Sequence, residues 1–363
     1  MRIGIIGAGQ LGQMLGFAAR ELGDSCTFVD PGTSPPAAEA GEILQAAFDD
    51  PAALARLAAT SDVVSYEFEN VPVDALLGIT DQVPVYPPPE ALRQAQDRLA
   101  EKRLFERLEI PLPAYQAIDS LADLESAIAT IGLPLVIKTR RLGYDGKGQA
   151  ILRDSEQAAA LLEQLGPVDL IAEQWVPFDF EVSAIGARST RGDVVVYPLT
   201  ENRHADGILR ESRAPVDNPE LASLAADYMS RLLNHLDYVG VLALELFVVG
   251  EQLLANEFAP RVHNSGHWTI EGVAASQFHN HILAVTGREL EPPTARGHAG
   301  MLNLIGKMPP ADALPACGQL HNYGKAPRPG RKLGHITVVA ESATERDRQL
   351  AEIVDFVTKS TAG

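Results

Sequence analysis

Short apolar runs alternate with helical patterns through the first part of the chain. Residues 3–6 read as a buried strand, 10–22 as a helix and 27–29 as a second strand. Residues 50–59 form a helix opened by Pro51, which suits a first helical turn. Further strands at 63–68 and 83–86 complete an alternation that predicts a parallel sheet. The stretch Val83-Pro84-Val85-Tyr86-Pro87-Pro88-Pro89 is a stiff connection and a candidate domain boundary. Residues 89–108 then read as one charged amphipathic helix containing Asp97, Arg98, Lys102 and Arg103.

A smaller αβ unit follows: a Ser-capped helix at 120–131, strands at 135–139 and 149–152, and a capped helix at 154–165. From residue 169 the pattern turns strand-rich, at 170–174, 180–187 and 194–199. A helix at 219–236 precedes two apolar arms, 241–249 and 253–259, and another helix spans 276–285. The final segment alternates Pro/Gly loops with short strands such as 335–339 and ends in a helix at 344–358.

The two arms flank Gly250-Glu251-Gln252 and read as a hairpin. A three-residue loop pairs Val249 with Leu253 and sets Glu245 directly opposite Glu257. Opposed Cβ atoms lie about 4.5–5.5 Å apart, and like charges there repel. A cation between them removes the repulsion, and hard oxygen ligands suit Mg²⁺ bridged to nucleotide phosphates. A two-residue turn would instead send the carboxylates to opposite faces and leave one solvated.

Composition narrows the partners. At 363 residues and 46% hydrophobic, the chain can bury a full core and divides into two or three domains. A formal net charge of −18 argues against a nucleic-acid surface, so an anionic small substrate would need a local basic pocket. Cys26 and Cys317 match no disulfide or zinc pattern. The first apolar run is too short for a signal peptide and no segment is long enough to span a bilayer, so a cytoplasmic setting without membrane partners is expected.

Gly7-Ala8-Gly9-Gln10-Leu11-Gly12 follows a strand, opens a helix and precedes Asp30 at the end of the next strand. That is a dinucleotide fingerprint and, alone, supports an NAD-dependent oxidoreductase. The same glycines also suit a tight turn, or a generic anion site for a sugar phosphate. A second glycine-rich loop, Thr139-Arg140-Arg141-Leu142-Gly143-Tyr144-Asp145-Gly146-Lys147-Gly148-Gln149, lies between two strands. Its backbone N–H groups can wrap phosphates, and Lys138 ends the strand before it. Glu173-Gln174-Trp175-Val176 closes a strand that can hold adenine through its backbone, with Glu181 near enough to accept ribose hydroxyls. Taken singly, each has a bland alternative: a mobile hairpin loop, a solvated lysine, an exposed strand edge.

In order and spacing, these features resemble the ATP-grasp superfamily. The segment Asn256-Glu257-Phe258-Ala259-Pro260-Arg261-Val262-His263-Asn264-Ser265-Gly266-His267-Trp268-Thr269 is similar to the signature of the N5-carboxyaminoimidazole ribonucleotide synthetase family. So are Tyr197-Pro198-Leu199-Thr200-Glu201-Asn202 with His204, the loop from Gly143 to Gln149, and Arg328-Pro329-Gly330-Arg331-Lys332. In that family the N-terminal Gly-x-Gly-Gln-Leu-Gly belongs to a domain that binds no NAD. The resemblance runs from residue 1 to about 337. It implies an α/β, ATP-grasp fold with an N-terminal Rossmann-like pre-ATP-grasp domain (1–95). An ATP-grasp domain follows (96–290), with a small lobe at about 110–177 bearing the glycine-rich loop and a large lobe at 178–290 bearing the metal hairpin. A small C-terminal β-rich subdomain (291–363) bears the basic turn.

The implied reaction carboxylates 5-aminoimidazole ribonucleotide with ATP and bicarbonate, through carboxyphosphate, in purine (IMP) synthesis. Glu245 and Glu257 are then expected to hold Mg²⁺, with Mn²⁺ as a substitute. The resemblance assigns ATP to Arg98, Lys138, 143–149, 173–176, Glu181, His204, Phe247, Asn256 and Glu257. Arg261 is expected to orient bicarbonate, His263 to polarise or protonate the intermediate, and Lys332 to share in catalysis. The ribonucleotide is assigned to Glu69, Tyr144, Asp145, Arg261, His263, Asn264, Ser265, Arg328, Arg331 and Lys332. His263 and His267 also read as a metal pair, although Gly266 argues against a helix there. A homodimer follows from the resemblance. Another ATP-grasp ligase, an NAD oxidoreductase and a non-catalytic nucleotide sensor remain as alternatives.

Overall fold

The computed structural model describes residues 1–143, 148–166 and 168–361. Strands β1 (Arg2–Ile6), β2 (Ser25–Asp30), β3 (Glu42–Gln45) and β4 (Val63–Tyr66) form a parallel sheet of order β3-β2-β1-β4. Their near-continuous apolar character follows from burial on both faces. Ile3, Ile5 and Phe28 pack with helix α1 (Gln10–Glu21), while Ile6, Val29 and Val64 pack with α2 (Pro51–Thr60). Residues 83–86 are not the expected strand. Val85 makes a parallel bridge to Val64, and the flanking prolines lack the N–H a ladder needs. After α3 (Val73–Leu77), the helix expected over 89–108 is two helices, α4 (Pro89–Ala95) and α5 (Arg98–Arg107). The break falls where Asp97 turns extended and its carboxylate caps Leu99 N at 3.0 Å.

Strands β5 (Tyr115–Ile118), β6 (Leu135–Thr139), β7 (Gln149–Leu152) and β8 (Leu170–Gln174) make an antiparallel sheet, ordered β5-β8-β6-β7. Helices Leu121–Ile131 and Ala158–Leu165 close one face through Leu124, Leu161, Ile137 and Ala172. The opposite face carries Lys138 and Glu173.

The third sheet contains β9 (Phe180–Arg188), β10 (Val194–Val196), β11 (Thr200–Ala205), β12 (Ile208–Ala214), β13 (Gly240–Val249), β14 (Gln252–Ala259), β15 (His298–Ile305), β16 (Gln319–Asn322) and β17 (Lys332–Ala340). Its order is β14-β13-β9-β11-β12-β15-β17-β16, with β10 beside β9. The C-terminal strands thus extend this sheet, and helix Ala343–Thr361 seals them with Leu350 and Ile353. Hydrophobic patterning missed β11 and β12, where polar Thr200, Asn202 and Ser212 share the sheltered positions with Leu209 and Ala214. Asn202 donates to Ser183 Oγ at 2.5 Å and accepts from Ser212 Oγ at 2.8 Å inside the sheet. No helix among the described residues is long and apolar enough to cross a membrane.

Candidate active site

β13 and β14 are joined by a two-residue turn, with Val249 paired to Gln252 and Gly250 at φ +59°. The expected three-residue loop is therefore wrong. A two-residue turn alone would bring Asn256 opposite Glu245. A one-residue bulge at Asn256 shifts the register instead: Leu246 pairs with Ala255, and Glu245 pairs with Glu257. The two carboxylates do meet, for a reason the sequence did not show. Burial and the adjacent Glu257 charge push the Glu245 carboxyl up to about 7. Burial would raise Glu257 as well, but Arg98, donating from Nη1 to Oε2 at 2.7 Å, holds it at about 2. Asn256 Oδ1, buried beside them, has no partner among the described residues.

Helix α5 supplies the counter-charges. Its first turns carry Arg98, Glu101 and Lys102, and the last two were not assigned to the site from sequence. Lys102, fully buried, reaches Asn256 O at 2.5 Å and Glu173 Oε2 at 3.6 Å. Glu173 in turn accepts from Lys138 Nζ at 2.8 Å. Burial alone would raise the Glu173 carboxyl, but Lys102 and Lys138 hold it at about 2. The base of the glycine-rich loop is tied to the same helix. Arg140 donates to both Asp97 oxygens at 3.0 and 2.5 Å, and Arg98 N donates to Arg140 O at 3.0 Å. Gly148 closes the loop at φ +71°, where a Cβ would lie 2.6 Å from Thr139 Oγ1. Gly143 and Gln149 flank the loop, while Tyr144, Asp145, Gly146 and Lys147 lie outside the described residues. The signal for α5 was present as charges spaced three and four apart on a helix with apolar Leu99, Leu104 and Phe105.

Between the second and third sheets the cleft has apolar walls. Phe178 stacks on Phe247 with centroids 4.8 Å apart and planes at 8°. Trp175 is exposed, with the Arg153 guanidinium 5.4 Å from its ring centroid. Gln174 N and Trp175 N are already donated to Ala114 O and Pro134 O, at 2.8 and 3.3 Å.

Beyond the hairpin, His204 Nδ1 lies 2.7 Å from Glu181 Oε2. Burial opposes its charge, but that carboxylate holds the imidazole above its ordinary range. His263 goes the other way: burial, then Arg261 and Lys332, push it well below the usual histidine value. Ser265 N donates to His263 Nδ1 at 3.3 Å, so the ring proton sits on Nε2, 3.2 Å from Glu245 Oε1. A neutral Nε2–H can polarise an oxygen but is no general acid. Arg261 Nη2 pairs with Glu69 at 2.7 Å, joining the first sheet's loop to this pocket. The charge of Lys332 acts on Glu245, His204 and His263.

Other sequence candidates sit differently. Ser265 is fully buried with its hydroxyl on His263 Nδ1 at 2.8 Å, and Asn264 exchanges hydrogen bonds with Asn303 at 3.0 and 2.8 Å. Both face inward, Ser265 bracing the His263 ring and Asn264 its loop. His267 is buried against Asn264 and Tyr323, and the described residues contain no cluster of three metal-binding side chains. Arg328 stands exposed at the basic turn, while Arg331 bonds Ala326 O at 3.2 Å. Lys325, which sequence reading missed, is pushed down to about 8 by burial and Arg331, and donates to Gln10 Oε1.

That bond brings the N-terminal glycine loop to the rim of the pocket, but not as a dinucleotide site. Gly7 N donates to Val29 O, Ala8 N to Asp30 Oδ2 and Gly9 N to Glu67 Oε1, at 2.9, 2.9 and 2.6 Å. Asp30 and the buried Glu67 occupy the amide donors a pyrophosphate would require and put acidic groups where that anion needs a positive field.

Two sheets closing on a lysine, a glycine-rich loop and a carboxylate hairpin define an ATP-grasp enzyme, and residues 103–278 match the ATP-grasp domain family. Residues 1–96 match the ribonucleotide synthetase preATP-grasp domain, and 299–349 the phosphoribosylaminoimidazole carboxylase C-terminal domain. The N5-carboxyaminoimidazole ribonucleotide synthase of Pseudomonas aeruginosa is 47% identical over 97% of this chain and 98% of its own length. The crystal structure of the synthetase from Thermus thermophilus superposes with a TM-score of 0.95 at 48% identity, covering 98% of each chain. The Aspergillus clavatus enzyme in complex with ADP and 5-aminoimidazole ribonucleotide gives 0.90 at 29% identity, over 99% of this chain and 98% of that one. The chain belongs to the N5-carboxyaminoimidazole ribonucleotide synthase family.

Proposed function

We propose that the cleft converts ATP, bicarbonate and 5-aminoimidazole ribonucleotide to ADP, phosphate and N5-carboxyaminoimidazole ribonucleotide, a step of de novo purine synthesis. Bicarbonate is a poor electrophile, and phosphorylation by ATP to carboxyphosphate activates it. Such a transfer needs positioning and charge neutralisation more than covalent help.

Adenine lies against the stacked Phe178–Phe247 pair and Trp175, beside the Glu173 to Val176 segment, where the Gln174 and Trp175 amides are already committed. Glu181 and His204 take the ribose side, and Lys138, Arg98 and the loop from Gly143 to Gln149 clamp phosphates. The donor set fits Mg²⁺: two opposed carboxylates and an unpartnered amide oxygen are hard ligands, and the raised Glu245 marks a charge awaiting a cation. Glu245, Glu257 and Asn256 would hold it, where it would neutralise phosphate charge.

Arg261 presents a planar fork to bicarbonate and carboxyphosphate. His263 donates a hydrogen bond from Nε2 to the oxygen that gains charge as CO₂ passes to the amine. Burial, with Arg261 and Lys332, keeps that imidazole neutral, and Lys332 with Arg331 and Arg328 meets the ribonucleotide phosphate. The observation that carries this reading is the bulged register that sets Glu257 opposite Glu245, within the electrostatic reach of Lys138. The test is ADP release with and without the ribonucleotide and bicarbonate; release independent of both substrates would refute it. A cytoplasmic homodimer belongs to the same reading, and sedimentation velocity reports the dimer.

A further inference from the structure

The bulge that aligns Glu245 with Glu257 is held from outside the hairpin. β14 is an edge strand, so its outward backbone groups need partners from elsewhere. Before the bulge, Ala255 N donates to Pro111 O at 2.7 Å; after it, Phe258 N donates to Glu101 Oε1 at 2.7 Å. The outward amide thus moves from an odd to an even position across Asn256. Asn256 itself turns its carbonyl out to Lys102 Nζ. Glu101 is 2% exposed and Lys102 is 0% exposed, so neither can exchange these partners for water. A regular strand would present Asn256 to Glu245 and send Glu257 to the other face. It would also leave a buried ammonium and a buried carboxyl facing mismatched backbone groups, which is costly.

We propose that Glu101 and Lys102 are positioning residues that select the bulged register of β14 and thereby build the divalent-cation site. This rests on the reading of Glu245 and Glu257 as metal ligands. Each residue satisfies one backbone group that exists only in that register: Lys102 the Asn256 carbonyl, Glu101 the Phe258 amide. Lys102 also links the hairpin to Lys138 through Glu173, so one helix turn sets the metal carboxylates and the phosphate lysine together.

Mn²⁺ binding, read by electron paramagnetic resonance on the full-length protein with a non-hydrolysable ATP analogue, tests both levels. Wild type against Glu257→Gln tests the ligand reading, and equal Mn²⁺ affinity would overturn it. Wild type against Lys102→Met tests the positioning role: Mn²⁺ binding weakens about tenfold, and an unchanged affinity overturns the proposal. Glu101 gives a second route should Lys102→Met fail to fold. Glu101→Gln keeps an acceptor for Phe258 N and stays within about twofold of wild type, whereas Glu101→Leu loses about tenfold. Equal affinities in those two variants would also overturn the proposal, because a role in bulk stability does not distinguish an amide oxygen from a methyl group by metal affinity.

Discussion

The glycine loop of the first sheet and the carboxylate hairpin of the third both look like nucleotide sites in sequence, yet their polar groups are disposed in opposite ways. At the loop, the amides that would cradle a pyrophosphate are taken by Val29 O, Asp30 and Glu67. At the hairpin, Glu245 and Glu257 face each other and a neighbouring amide oxygen has no partner among the described residues. The loop is internally satisfied; the hairpin opposes two carboxylates with Arg98 on only one of them, a repulsion that a cation would relieve. A motif specifies backbone shape, whereas ligand binding depends on which donors and charges the fold leaves uncommitted.

Changes at the hairpin should therefore alter chemistry, and changes at the loop should alter stability. The largest effect is expected from Glu257→Gln, which lowers Mg²⁺-dependent ADP formation about 10³-fold; a near-normal rate in a coupled ADP assay would equate the two regions. Arg261→Ala comes next, with kcat down about 10²-fold and little change in KM for ATP. Steady-state kinetics showing the loss only in KM would move Arg261 from chemistry to binding. Lys332→Ala should raise KM for the ribonucleotide about tenfold while sparing KM for ATP, and equal effects on both would remove its phosphate role.

On the loop side, the first sheet is docked by His281, whose Nδ1 accepts from Val241 N and whose Nε2 donates to Ser65 Oγ, at 3.2 and 2.9 Å. Burial lowers this imidazole from 6.5 to about 4. A base depressed on folding binds fewer protons folded than unfolded, so its contribution is present above pH 6.5 and lost as pH falls towards 4. That loss amounts to about 3 kcal/mol. Urea unfolding of wild type and His281→Gln at pH 7 and pH 5 should show the variant losing less on acidification. The smallest functional effect belongs to Asp30→Asn. It weakens the bonds to Ala8 N and Gly32 N and costs about 1–2 kcal/mol of stability. ADP formation should stay within about twofold and NADH should not bind in fluorescence titrations; tight NADH binding would reverse the comparison.

Most of the strands and helices were legible from periodicity, because the first two sheets bury continuous or alternating apolar runs. The misses, the short strands β3 and β5 among them, have more than one cause. β11 and β12 pack polar Asn202 and Ser212 inside the sheet, so burial there leaves only a weak hydrophobic signature. The helix over 89–108 looked continuous because a capping aspartate, Asp97, interrupts it without a proline or glycine. Lys102, Glu101, Lys325 and Glu67 were passed over because a charged residue on a helix or loop is usually solvated, and only long-range contacts bury these.

The amino-acid order alone determined most of the elements, which segments carry carboxylates, glycines and basic side chains, and which family those motifs resemble. It did not determine the register of the hairpin, since one bulged residue inverts every side chain beyond it. That choice was made by the fold, where Glu101 and Lys102 from a helix far back in the chain bond the backbone on either side of Asn256. Local patterning carries no record of such contacts, because their free energy comes from burying a charge against a partner that only the folded chain brings near.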